Sequence, residues 1–513
     1  MSKLASTALL ITFITLLSKL IGFIRDVVMA GSYGTTIQSD AYFMAQSIIG
    51  VITGLFLSAL GTTFIPVMTD YLAHKTKNET NKFLNVVFTV TTSLTIILCI
   101  LGLIFTKELV NIFAPDFSKE ASSLTVELTR IMLPTIVLTV MVTIGSSKLQ
   151  NHGSYLVPNA IGFPLNFVLI ITMLFFTDNF GIMGLAVSTV IGTALQILMQ
   201  FPFTHKLGYR FKLDFDLREE GLRRIGVLII PIMIGSGIQQ INTLVNRILA
   251  SGLTEGSIAA LNFSNRLSLF ITSLFSAAIV SVYYTSMSKY FTTGEELLFK
   301  KLLKNTINIS GLLIIPASFG LIVLRLPIVQ LIFERGAFDS AASIMTSIAL
   351  LYYTIGLIGF LLRDVVSRAF YALKDTKTAM INGSIAVIMN IILSIVLVPY
   401  LGLGGLALGT SISGILGTIL LMFSLYKKIG DYGLRNIMYT FIKIIAASAI
   451  MAVTVHYFYI EIIGMVDSIF VSVALSIVVG IIVYVIAILL LKIEELNVLR
   501  NIVSKKFRRI KNN

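Results

Sequence analysis

Apolar residues in this chain run in continuous blocks of twenty or more, separated by short polar connections. A helix of about 20 apolar residues crosses a hydrocarbon core about 30 Å thick. A membrane β-barrel would instead be written in alternating strands of about 10 residues, so the continuous blocks predict helices. About fourteen are expected, over roughly 5–30, 41–69, 82–106, 122–148, 154–177, 181–204, 224–251, 257–288, 302–326, 340–373, 378–400, 403–426, 436–460 and 466–491. The expected fold class is therefore an all-α polytopic membrane protein. The first block continues past Lys19 to Arg25 with no small-residue cleavage site after a short core, so it is read as an uncleaved helix.

The polar connections alternate in charge. One set carries Lys75, Lys77 and Lys82; Lys148; Lys206, Arg210, Lys212, Arg218, Arg223 and Arg224; Lys289, Lys300, Lys301 and Lys304; Lys374 and Lys377; Lys427, Lys428 and Arg435; and a basic tail from Lys492. The other set holds only Lys107, Lys119 and Arg335. The positive-inside rule places the first set in the cytoplasm, and an even helix count then puts both termini there.

Composition narrows the class further. Hydrophobic residues make up 56% and charged residues 12%, against about 25% charged in soluble chains. The net charge of +14 reflects topology, with some attraction of the tail to anionic lipid, and implies no nucleic-acid partner. Cys99 is the single cysteine, which excludes an intramolecular disulfide, and the four histidines show no metal-ligand spacing.

An internal repeat organises the chain. Gly181-Ile-Met-Gly-Leu-Ala-Val-Ser-Thr189 matches Gly402-Leu-Gly-Gly-Leu-Ala-Leu-Gly-Thr410, and Pro164-Leu-Asn166 with its apolar run matches the run around Asn390. Val110-Asn-Ile-Phe113 resembles Val329-Gln-Leu-Ile-Phe333. The matches are collinear. The domains expected are an N-terminal lobe (1–207), a cytoplasmic amphipathic linker (208–223), a C-terminal lobe (224–430), and two further helices with the basic tail (431–513). Two six-helix lobes inserted the same way up around a central cavity are a transporter architecture.

Charges deep inside the apolar blocks mark candidate function, because lipid tolerates them only against a polar cavity or a partner. Lys19, Arg266 and Arg363 qualify as cavity cations. Arg25 and Asp26 lie nearer a helix end and are also readable as an interfacial ion pair. Asp364 and Arg368, four residues apart, are expected to pair along one helix face. No glycine-rich phosphate loop, nucleophile motif or convergent carboxylate pair is present, so nothing reads as catalytic and no enzyme is expected. Gly22, Pro134, Pro158, Pro164 and Pro231 are placed where membrane helices often bend.

Several stretches carry a family resemblance. Ser18-Lys-Leu-Ile-Gly-Phe-Ile-Arg-Asp26, Ser39-Asp-Ala-Tyr-Phe-Met-Ala45, Ala260-Leu-Asn-Phe-Ser-Asn-Arg-Leu267, Leu331-Ile-Phe-Glu-Arg-Gly-Ala-Phe338 and Ala369-Phe-Tyr-Ala-Leu-Lys-Asp-Thr-Lys377 resemble the MurJ/MviN family of lipid II flippases. That family is a branch of the multidrug/oligosaccharidyl-lipid/polysaccharide exporter superfamily. The resemblance implies fourteen helices, an undecaprenyl-diphosphate-linked glycolipid substrate, membrane lipids as neighbours, a groove for the lipid tail on the last two helices, a monomer, and the bacterial cytoplasmic membrane. It implies that Lys19 (where the family usually has arginine), Arg25 and Arg266 face the substrate. Asp40 falls at the acidic position of the first outer loop. Arg363 joins these cations by its depth alone, and Asp26, Asp40 and Asn265 are supporting polar residues.

The chain also departs from the family. Ile48-Ile-Gly-Val-Ile-Thr-Gly-Leu-Phe-Leu-Ser-Ala-Leu-Gly61 lacks two cavity arginines and an acidic residue. The positions of a sodium site seen in some members hold Asn246, Asn390, Ser394 and Thr410 without a carboxylate, which argues against sodium coupling. No cofactor is expected, and the coupling ion or potential stays open. A flippase for another undecaprenyl-linked glycan is the nearest alternative, and a cation-coupled drug exporter is the third reading.

Overall fold

The computed structural model describes residues 3–208 and 211–493. Arg210 and the basic tail beyond Ile493 lie outside the described residues. Helices account for nearly everything described: α1 (Lys3–Tyr33), α2 (Ile37–His74), α3 (Lys77–Ile104), α4 (Thr106–Phe113), α5 (Lys119–Met132), α6 (Thr135–Asn151), α7 (Leu156–Ala160), α8 (Gly162–Phe175) and α9 (Thr177–Lys206) come first. They are followed by α10 (Glu220–Ser251), α11 (Ser257–Thr292), α12 (Glu296–Val323), α13 (Arg325–Phe333), α14 (Ser340–Ile355), α15 (Leu357–Ala372), α16 (Thr376–Leu401), α17 (Leu403–Ile429), α18 (Leu434–Met465) and α19 (Ile469–Leu490). The only strand-like feature among the described residues is an isolated bridge between Arg335 and Phe338.

Ten of these helices are long and apolar enough to span a bilayer, and three bent pairs raise the number to 13. The expected count of fourteen is not reached by that measure. Helix α1 is 31 residues long, enough to cross a core of about 30 Å, but it is not among the thirteen.

Element order repeats along the chain. A long helix, a short one and a broken span follow one another in α3, α4 and α5–α6, and again in α12, α13 and α14–α15. The two breaks bend by 40° and 42°. Pro134 lies in the first, removing an amide donor from the helix ladder, and Gly356 in the second. Gly181, at a kink four residues into α9, and Gly402, which caps α17, are paired by sequence and both adopt positive φ (53° and 54°). Helices α18 and α19 have no counterpart. Gly22 does not interrupt α1, which is continuous, whereas α10 bends by 54° between Ile230 and Gly235, around Pro231.

Packing divides the chain into two compact units. The first holds the residues up to Phe263 together with Arg335–Ala342. Its interior is built by Phe64, Met68 and Tyr71 on α2, Phe83 and Val87 on α3, Ile144 on α6 and Ile225 on α10. Tyr71 and Phe83 stack with centroids 4.4 Å apart. The Tyr71 hydroxyl donates to Glu219 Oε1 at 2.5 Å and accepts from the Gly221 amide at 2.9 Å, fixing the entry of α10. A capping box of Thr76 and Glu79 starts α3.

The second unit comprises Ser264–Glu334 and the residues from Ser343 onward. Here α12 packs on α18 through Gly311, where an added Cβ would lie 2.7 Å from Phe441. Tyr484 on α19 donates to the Leu312 carbonyl at 2.8 Å. Small residues and buried hydroxyls carry this contact, as expected where lipid removes the hydrophobic drive between helices. The outer surfaces of α3, α16 and α19 expose large apolar side chains such as Ile100, Ile392 and Ile482.

Candidate substrate-binding site

Lys19 and Arg25 both lie on α1, six residues and so about 9 Å apart along its axis. They project from faces about 120° apart. Lys19 is exposed, whereas Arg25 is engaged within the first unit. Its Nη2 and Nε donate to Asp26 Oδ1 at 2.6 and 3.1 Å, and its Nη1 donates to Asn166 Oδ1 at 3.1 Å. Small residues bring α1 this close to α8. A Cβ on Gly162 would meet Ser18 Oγ at 2.9 Å, and one on Gly22 would lie 3.7 Å from Asn166. The space left beside Arg25, Asp26, Tyr42 and Gln46 is about 10 Å³, room for about one water. Arg25 is thus a partnered cation with two of its five N–H groups uncommitted to these contacts, while Lys19 presents a point charge.

Asp40 lies in the first turn of α2 rather than in the loop before it, and it is 5% exposed. Its two carboxylate oxygens accept from the Gly256 and Ala259 amides, each at 2.7 Å. Those amides belong to the opening turn of α11, where four N–H groups have no helical partner and a carboxylate is favoured by the helix dipole. Glu255 reciprocates by accepting from the Ile37 amide at 3.1 Å. The turn at 335–338 joins the same cluster, with the Ala337 amide donating to the Gly31 carbonyl at 2.8 Å. Gly336 has φ 57° there, and a Cβ on it would collide with that carbonyl. Phe43, Phe263 and Phe338 meet edge to face beneath. Three connections are therefore latched by one buried carboxylate and a glycine turn.

In the second unit Arg266 is exposed on α11, with Asn265 partly buried beside it and Leu269 exposed one turn further on. Arg363 is half-buried on α15, and its Nη2 would lie 3.2 Å from a Cβ on Gly383 of α16. Its neighbour Asp364 binds Arg368 Nε at 3.2 Å and accepts from Ser276 Oγ at 2.5 Å, the pairing expected from their four-residue spacing.

The polar group on α16 and α17 is neutral. Asn390 Nδ2 donates to Thr410 Oγ1 at 3.2 Å, and the buried Ser394 hydroxyl has no hydrogen-bond partner. In the first unit Asn246 Nδ2 contacts Asn242 Oδ1 at 3.4 Å. These amides and hydroxyls offer a cation no anionic ligand. No cluster of three or more His, Cys, Asp or Glu able to hold a metal occurs among the described residues.

One signature stretch turns out to have a structural job. Asp375 caps α16 by accepting from the Thr378 amide at 3.0 Å and from its hydroxyl at 2.8 Å, and it binds Lys428 Nζ at 2.6 Å. The Lys428 contact, then the Thr378 donors, hold its carboxyl at about 2, below the usual range. The preceding Lys374 takes φ 56° to make the turn. Sequence reading missed Asn166 as the partner of Arg25, because a contact 141 residues away leaves no local signal. Its only trace is the repeat match with Asn390.

Comparison with known proteins places most of the chain in one family. The sequence model of the family described as "Lipid II flippase MurJ" matches residues 29–475. A probable lipid II flippase MurJ of Buchnera aphidicola subsp. Acyrthosiphon pisum is 30% identical over 423 residues, 82% of this chain and 83% of that protein. The corresponding Vibrio cholerae protein is 30% identical over 465 residues, 88% of each. A solved structure titled "Lipid II flippase MurJ, inward closed conformation" aligns with TM-score 0.78 at 28% identity, covering 93% of this chain and 98% of that one. An inward-facing multidrug-resistance MATE transporter shares the fold alone, at 15% identity and TM-score 0.65 over 82% of this chain and 98% of that one. By the match over residues 29–475, the chain belongs to the MurJ lipid II flippase family.

Proposed function

We propose that this protein moves lipid II, an undecaprenyl diphosphate bearing a disaccharide pentapeptide, from the inner to the outer leaflet of the bacterial cytoplasmic membrane. The observation that carries this reading is the family match over residues 29–475. A lipid-linked diphosphate needs cationic hosts that are less costly when it is bound than when it is absent. Lys19, Arg266 and Arg363 are assigned that role, with the exposure of Lys19 and Arg266 in support. Arg25 joins when the phosphate competes with Asp26 for its guanidinium. The lipid tail runs along α18 and α19, whose outer faces expose Ile450, Val453, Ile481 and Ile482.

Transport proceeds by alternating access of the two repeats. The Asp40 latch holds the outer connections together and must open for release. The protein is a monomeric transporter without a catalytic step, and the basic connections and both termini face the cytoplasm. Reconstitution with labelled lipid II tests this directly: the wild type moves the label across the bilayer, and K19A and R266A do not at matched protein levels.

A second reading, transport of a different undecaprenyl-linked glycan, is favoured by α2. Gly50 and Gly61 in that helix face open space, where an added Cβ would meet no atom within 4 Å, in the stretch where the family often carries arginines. Conditional replacement of a host's lipid II flippase separates the two. Rescue supports lipid II, and failure with altered surface polysaccharide supports the other glycan.

A further inference from the structure

Within the first unit, α3, α6 and α9 leave a cavity of about 810 Å³, closed on one side by Phe211 and Leu213. The volume lies within the ~300–1,000 Å³ range of built ligand sites. Its apolar part includes Ile96, Ile197 and Phe201, and Phe201 is 61% exposed. Lys148 and His205 line it as well, and no Asp or Glu does. Asn81 Oδ1 and Thr92 Oγ1, on lining residues of α3, are buried without a hydrogen-bond partner.

The closing segment is held in place by its own contacts. Phe211 meets Phe88 edge to face at 4.9 Å, the Asp214 amide donates to Thr89 Oγ1 at 3.2 Å, and Lys82 binds Asp216 at 2.7 Å. Asp216 is kept below its ordinary carboxylate range by that lysine. The wall is therefore fixed to α3, and the basic side of the cavity comes from Lys148 on α6 and His205 on α9.

We propose that this cavity is a binding site for an anionic glycerophospholipid of the leaflet on the side of residues 205–223. The headgroup phosphate lies by Lys148 and His205, and the buried Asn81 oxygen accepts from a headgroup hydroxyl, whereas Thr92, eleven residues and so about 16 Å further along α3, lies at acyl-chain depth. One acyl chain lies against Ile96, Ile197 and Phe201. Charge selects the occupant: a basic pocket between membrane helices at the cytoplasmic side is suited to acidic lipid headgroups, and the apolar depth rejects a free phosphate. This site is separate from the cations assigned to the flipped substrate, so it can fail without affecting that reading.

The absence of tryptophan from the chain supplies a clean test. F201W places one fluorophore at the cavity, and I482W places one on the exposed face of α19 as a control. Full-length protein is reconstituted with lipids brominated on the acyl chain, either phosphatidylglycerol or phosphatidylcholine. For F201W the anionic lipid is expected to quench with about fivefold higher affinity, the equivalent of about 1 kcal/mol for one cation facing an acidic headgroup. For I482W the two lipids quench alike. K148Q in the F201W background removes the preference. Equal quenching by both lipids in F201W with Lys148 intact overturns the proposal, as does a cavity closed to both or a preference that survives K148Q. The first comparison needs no change at Lys148, so it stands even if K148Q fails to fold.

Discussion

Arg25 and Lys19 share a helix but stand in different electrostatic circumstances, and their variants should separate accordingly. Removing Arg25 takes the cation away from Asp26, which is 6% exposed, and a buried ion pair broken on one side costs about 3 kcal/mol or more. R25A should therefore lower the melting temperature of purified protein and its flipping together. R25A/D26N should recover much of the melting temperature without recovering flipping. K19A should spare stability and lose flipping, and K19R should retain it. Exchange of Arg266 for Lys should be less well tolerated, because an ammonium cannot make a bidentate phosphate contact. The sequence made the cations legible through depth alone. It left Arg25 poised between cavity cation and ion-pair member, because nothing local reveals that Asn166 on α8 holds it against Asp26.

At the scale of elements, α5–α6 and α14–α15 break alike, whereas α10 bends and α1 is continuous. Gly181, at the kink in α9, and Gly402, before α17, have positive φ and open space around them, so an added methyl meets no neighbour and only the backbone penalty remains. G181A and G402A should each destabilise by about 1–3 kcal/mol, read as similar falls in melting temperature. A large difference between them would show that the two turns are not equivalent. The cap of α16 makes a pH prediction. Asp375 sits at about 2 against an ordinary value of 3.8, so the stability it adds is complete above about pH 4 and is lost as pH falls towards 2. D375A should cost about 1 kcal/mol at neutral pH, the usual size of a lost cap, and should flatten the stability profile in that window. Hydrophobic runs revealed where helices lie, and Pro134 and Pro231 marked two of the bends. The break at Gly356 carried no such mark, so α14–α15 read as one block. α2 extends to Ile37 and His74, beyond its apolar block, because Asp40 is absorbed by the amides of α11 and Asp70 by Arg224 at 2.6 Å.

For the whole molecule, the charge asymmetry of the connections predicts sidedness. After Cys99→Ser, a cysteine at Asp178 should react with an impermeant reagent from outside in intact cells, and one at Lys75 should not. The reverse would invert the topology. The family could be read from short motifs because several of them, such as the 335–338 turn and the Asp375 cap, are local structures whose residues are close in sequence. The proposed cations were less legible, because they lie on helices far apart in sequence and the partners of Arg25 are set by packing. The central claim is that a cationic site carries a lipid-linked diphosphate across the membrane. Its most direct test is flipping of labelled lipid II in proteoliposomes by the wild type, K19A and R266A at equal protein density. The account predicts transport by the wild type and near-background rates for both variants. Wild-type rates in both, or no transport of lipid II by the wild type, would contradict it.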